Sequence, residues 1–96
     1  MRYLICYDIT DNRKRRRIAK YLESNSIRIQ ESVFVGDFSK SRYMEVRNKL
    51  IVLADIDEDS DDCDSVFMYP LCDSCWSKHW YIGVSKEAAL DEAIVI

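Results

Sequence analysis

From Arg2 to Asp8 the chain sets Tyr3, Ile5 and Tyr7 on one side and Leu4, Cys6 and Asp8 on the other, the period-two alternation of a strand. Both sides stay apolar until Asp8, which predicts a central strand covered on two faces. Thr10 or Asp11 then offers an oxygen to cap a helix, and Ile18, Ala19 and Leu22 give that helix its apolar stripe as far as about Glu23. Ser24-Asn25-Ser26 ends it. Residues 27–35 alternate again and predict one second strand. Ile27, Ile29, Val33 and Val35 share a face that Glu31 interrupts, while Arg28, Gln30, Ser32 and Phe34 form a face suited to polar contact.

Gly36-Asp37 turns the chain and Ser39 caps a second helix, in which Tyr43, Val46, Leu50, Leu53 and Ala54 keep helical spacing with Arg47 as the exception. Residues 55–64 are an acidic connector. Counted from Asp57 as a calcium loop, position six is Asp62 where a glycine is needed and position twelve is Met68 where a glutamate is needed, so a solvated, self-repelling loop is expected. A third strand runs from Val66 to Leu71, Cys72-Asp73-Ser74-Cys75 makes a turn or one helical turn, and Trp80–Val84 reads as a fourth strand. Residues 86–92 are charged and ambiguous, and Ala93-Ile94-Val95-Ile96 is an apolar tail expected to join a sheet, its own or a partner's. The order matches the split β-α-β pattern of ferredoxin-like α+β folds, βαββαβ. Such a fold leaves one sheet face bare, and in a small protein that face usually becomes a two-fold interface.

Charge changes this picture more than composition does. The 96 residues suffice for one modest core, and the 48% hydrophobic content is that of an ordinary globular chain. No apolar run is long enough to span a bilayer, and the first residues lack the progression of a secretory signal, so a cytoplasmic protein with thiols rather than disulfides is expected. The net charge of −3 conceals an asymmetry: residues 1–50 carry 12 Lys and Arg against 6 Asp and Glu, and residues 51–96 carry 2 against 11. A polyanion would therefore meet the first half of the chain.

The candidate chemistry lies where the first strand ends. Asp8 is a lone carboxylate, by itself as good a turn-former as a ligand. It could help to hold magnesium only if a dimer axis duplicated it, since the ion takes six oxygens. Beyond it stand Arg13, Lys14, Arg15, Arg16 and Arg17, a block that is either a solvated helix face or a phosphate-binding one. Helical phase aims Arg15 inward, toward the acid, and turns Arg13, Arg16 and Lys20 outward; Arg17 lies on the flank. Arg28 and Phe34 on one strand face, with Tyr7 nearby, favour nucleic acid, because arginine beside aromatic rings holds phosphates and splayed bases. Cys72 and Cys75 read as structural thiols, an opportunistic disulfide, or, less well supported, a zinc or redox pair. Cys6 reads as core, and His79 as a polar residue before a strand or, less readily, a general base.

Tyr7-Asp8-Ile9-Thr10-Asp11 before a basic helix, then Arg28-Ile29-Gln30-Glu31-Ser32-Val33-Phe34-Val35-Gly36, then Tyr69-Pro70-Leu71-Cys72, resemble the CRISPR-associated Cas-two family from residue 1 to about residue 84. The resemblance implies a ferredoxin-like homodimer, domain 1–84, with a C-terminal extension, 85–96, that adds a strand against its own or the partner's sheet. It implies one Mg2+ shared by Asp8 of two protomers and metal-dependent endonuclease activity on RNA or DNA. It also implies a DNA-binding role beside the Cas-one integrase in spacer acquisition. Tyr7, Arg15, Arg17, Arg28 and Phe34 match positions linked to activity or substrate contact. Two rival readings are a purely non-catalytic DNA-binding scaffold and an unrelated RNA-binding or antitoxin-like module.

Overall fold

A computed structural model describes residues 1–83. In chain order it contains β1 (Arg2–Asp8), α1 (Asn12–Glu23), β2 (Ile27–Gln30), β3 (Val33–Asp37), α2 (Lys40–Ala54), β4 (Ser65–Leu71) and a short α3 (Asp73–Ser77). The four strands form one antiparallel sheet in the order β2-β3-β1-β4. This is the βαββαβ arrangement of an α+β ferredoxin-like fold, complete by Leu71. No helix among the described residues is long and apolar enough to cross a membrane.

The caps predicted from the sequence are the caps that form. The Asp11 carboxylate accepts the amides of Arg13 and Lys14 at 2.7 and 3.1 Å, and the Ser39 hydroxyl accepts that of Arg42 at 3.2 Å. α2 stops at Asp55, whose left-handed backbone, φ 43°, lets its N–H reach back to Ile51. Ile18 and Leu22 of α1 and Val46, Leu50 and Ala54 of α2 pack onto Ile5, Tyr7 and Phe34 of the sheet. Each of the Ile, Leu, Val and Phe side chains among them contributes roughly 1.5–3 kcal/mol on burial.

Two expectations about strands are corrected. Residues 27–35 are a hairpin, not one strand: Glu31 and Ser32 form a turn, a bulge follows Arg28, and β2 folds back on β3 with Arg28 opposite Phe34. The interruption at Glu31 marks the turn, and the hairpin supplies the strand that the fold needs. Trp80–Gly83 is irregular, with Trp80 and Ile82 exposed, so there is no strand there; Val84 and the 85–96 extension lie outside the described residues. Asp73–Ser77 make one short helix, capped by Cys72, as the sequence allowed.

The covering of β1 also differs from expectation. Helices α1 and α2 cover only the face of Tyr3, Ile5 and Tyr7. On the other face, Trp76 of α3 packs with Leu4, Ile27, Ile29 and Val35. Alternation puts Cys6 on that same face, opposite Val33 and Phe67, and Leu4 lies opposite Tyr69. Phe67 and Tyr69 stay about half exposed and stack on one another at 5.8 Å. That part of the sheet is an open, apolar surface.

Candidate nucleic-acid interface

α1 is the basic element, and the charges at its start stand where helix electrostatics disfavours them. The N-terminal end of a helix carries partial positive charge and prefers acids, yet the first turn of α1 holds none and residues 13–17 are all cationic. Two of the five serve the fold. The Lys14 ammonium donates to the Asp55 carbonyl at 3.0 Å, and the Arg15 guanidinium to the Ile9 carbonyl at 3.0 Å and to the Asn12 side chain. Arg13, Arg16, Arg17 and Lys20 are exposed, and their charged groups make no hydrogen bond or ion pair among the described residues. These four form a free cationic face.

Asp8 ends β1, exposed, opposite Ser65 of β4. Alternation along β1 sets it on the open face with Leu4 and Cys6, whereas α1 lies over the other face. The expectation that Arg15 aims at Asp8 is therefore corrected: the sheet stands between helix and carboxylate, and Arg15 turns to the Ile9 carbonyl instead. Acid and free cations belong to two different sides of the molecule.

Tyr7 and Phe34 are corrected as well. Phe34 is 0% exposed and Tyr7 5%, and their rings stack at 6.2 Å in the core. Neither ring is open to a base. Burial also pushes the Tyr7 phenol up; Arg28 and Ser32 flank its hydroxyl, but no hydrogen bond of good geometry closes on it. Arg28 is engaged within the chain. It donates through Nε and Nη2 to the Glu31 carbonyl at 3.0 and 2.6 Å, pairs with Glu23 at 3.0 Å, and lies over the Phe34 ring at 5.4 Å. The face of Arg28 and Phe34 is thus the core side of the hairpin, not a contact surface.

The exposed aromatic pair of the sheet, Phe67 and Tyr69, was missed from sequence. The signal was present: in Val66-Phe67-Met68-Tyr69 the two rings alternate onto the face of Leu4 and Cys6. His79 is drawn to Trp76, stacking on its ring at 4.1 Å with Nδ1 against its carbonyl. The acidic connector is tied at both ends to the start of α1, by Lys14 at Asp55 and by Thr10 at Asp64.

The family model for CRISPR associated protein Cas2 matches residues 1–79. The chain belongs to the Cas2 family. A protein of Rhodospirillum rubrum named CRISPR-associated endoribonuclease Cas2 4 is 33% identical over 95 residues, covering 99% of this chain and 73% of the relative. CRISPR-associated endoribonuclease Cas2 1 of Chloroflexus aurantiacus is 40% identical over 83 residues, covering 86% of this chain and 85% of the relative. Among solved structures, a hypothetical protein from Thermus thermophilus superposes with a TM-score of 0.72 at 26% identity, over 88% of this chain and 92% of that one. Cas2 of Streptococcus pyogenes does so with 0.71 at 24% identity, over 86% of this chain and 100% of that one, a likeness of fold. The open sheet face and the free cations of α1 are therefore features of a Cas2 chain.

Proposed function

We propose that this Cas2 chain acts in CRISPR spacer acquisition as a two-fold dimer that lays the free cations of α1 along a nucleic-acid backbone and scaffolds the Cas-one integrase. The observation that carries this reading is the set Arg13, Arg16, Arg17 and Lys20, exposed on one helix and unpaired among the described residues. Four cations kept free on one helix, with Arg13 in the first turn where the helix dipole disfavours positive charge, are explained by an anionic partner. The open face with Phe67 and Tyr69 is the surface that a second copy would cover.

A dimer through that face would also bring two Asp8 carboxylates toward one axis. No group of three His, Cys, Asp or Glu side chains suited to a metal comes together among the described residues. At the end of β1 one chain thus offers magnesium one carboxylate, that of Asp8, and two chains would offer a pair of the hard oxygen donors it prefers. Asp8 fits as such a ligand. Magnesium bound there would polarise a phosphate oxygen and lower the pKa of a water nucleophile. The chain's own part is to present Asp8 at the dimer axis, while the free cations on the other side of each protomer anchor the nucleic-acid backbone.

The names of the relatives, CRISPR-associated endoribonucleases, support endonuclease activity on RNA. Against a fast enzyme stands the want of a general base among the described residues: His79 is held by Trp76. We take scaffolding as the main role and metal-dependent hydrolysis as slow and additional. Asp8→Asn tests the division. Loss of nuclease activity with spacer acquisition retained supports it; unchanged cleavage by the pure variant removes Asp8 from catalysis. Acquisition that survives neutralisation of Arg13, Arg16, Arg17 and Lys20 overturns the binding face.

A further inference from the structure

Cys72 and Cys75 are chemistry-bearing side chains that the nucleic-acid reading leaves unused. Both are free and exposed. Cys72 is the cap of α3: its backbone is extended, φ −70° and ψ 160°, and its Sγ accepts the Cys75 N–H at 3.4 Å. That contact brings Cys75 against the Cys72 sulfur and favours charge on Cys72: hydrogen bonds from Cys75 pull the Cys72 thiol down, while Cys72 pushes the Cys75 thiol up. The one acid between them in the first turn, Asp73, is engaged by Arg2 at 2.6 Å.

The other two cysteines differ in the respects that matter. Cys6 is half-buried on the sheet, where burial pushes its thiol up. Cys63 is exposed but stands alone in the acidic connector, nine positions before the next cysteine. Reactive thiols are exposed, low in pKa and beside a resolving partner. Cys72 is exposed, has its thiol pulled down, and has a second exposed cysteine three positions on.

We infer that Cys72 and Cys75 form a peroxide-responsive dithiol, with Cys72 as attacking sulfur and Cys75 as resolving sulfur. The Cys72 thiolate attacks one oxygen of a hydroperoxide. The O–O bond breaks, and water or an alcohol leaves with the proton that the thiol gave up. The sulfenic acid formed on Cys72 is then attacked by the Cys75 sulfur; the S–O bond breaks, an S–S bond forms, and the hydroxyl leaves as water with the Cys75 proton. The dithiol loses two electrons and two protons, and the peroxide is reduced by two electrons. The disulfide would form directly before Trp76, which packs on the sheet face with Leu4 and Val35 and lies 5.5 Å from the Arg2 guanidinium. The redox state is thus placed beside the open face rather than the cationic helix.

The test uses the full chain, reduced, freed of reductant and treated with hydrogen peroxide. The peptide containing both residues is expected to lose two hydrogens in mass and to regain them with dithiothreitol, while Cys63 remains a thiol. Cys75→Ser should leave a sulfenic acid on Cys72 that dimedone captures severalfold faster than anything on Cys63. Cys72→Ser, which keeps a good helix cap, should give neither product. Oxidation of Cys63 as fast as Cys72, bridging of Cys63 to either partner, or dimedone capture unchanged in Cys72→Ser would overturn the inference.

Discussion

Thr10 gives both its amide N–H and its hydroxyl to one carboxylate oxygen of Asp64, at 2.9 and 2.8 Å, across 54 residues of chain. The bond fixes the end of the acidic connector at the exit of β1. It also holds the Asp64 carboxyl below its ordinary value of 3.8, as the Arg13 and Lys14 amides hold that of Asp11. A carboxyl depressed in the folded state adds stability above its unfolded pKa, and that stability is lost as pH falls through the folded one. Thermal unfolding followed from pH 7 to 2 should therefore show destabilisation setting in below about pH 3.8. Asp64→Asn should lower Tm at pH 7 and converge with wild type in acid. A difference that stays constant with pH would show that the charge of Asp64 contributes nothing.

Arg28 is a clamp of the β2–β3 hairpin. Arg28→Ala removes two hydrogen bonds to the Glu31 carbonyl, the Glu23 pair and the packing over the Phe34 ring. The expected cost is about 1–2 kcal/mol of stability in denaturant titration. Nucleic-acid affinity in the folded variant should keep its salt dependence, whereas a fall in the salt slope would make Arg28 a phosphate ligand after all.

Gly36 meets the Phe38 ring, which lies where a β-carbon would begin, and Phe38 is itself buried. Gly36→Ala should cost about 1–3 kcal/mol through overpacking. Trimming the ring in Gly36→Ala/Phe38→Leu should give a total cost smaller than the sum of the two single changes. Strict additivity would rule out the clash.

The free cations of α1 should read out as counterion release. Replacing Arg13, Arg16 and Lys20 by Ala should lower the slope of log affinity against log salt by about one for each phosphate that is no longer neutralised. Circular dichroism should not change, because these charged groups make no hydrogen bond or ion pair with another described residue. Full retention of the slope would move the binding surface elsewhere.

The fold was legible because most of its signals are local. The stripe of Ile18, Ala19 and Leu22, the caps at Asp11 and Ser39, and the alternation in β1 and β4 each depend on neighbours in sequence. What sequence does not carry is which face of an alternating segment meets the core. Residues 28 and 34 do share a face, but Phe34 makes it the inner one and Arg28 shields its rim. Likewise, helical phase alone cannot show that a sheet separates Arg15 from Asp8. The cationic face was legible as charge, and its four free members were separated from Lys14 and Arg15 only by hydrogen bonds to Asp55 and Ile9, one of them distant in sequence.

β1 is synthesised before the other three strands and ends up in the middle of the sheet. Its β3 side can be paired once residues 33–37 have emerged, but its β4 side waits for residues 65–71, more than fifty positions after Asp8. Non-local pairings of this kind form late and slowly. A nascent chain halted in the acidic connector therefore carries an apolar central strand with one edge bare, the species most prone to pair with another copy of itself. The run of like charges that emerges just before β4 gives that intermediate its own means of keeping such copies apart.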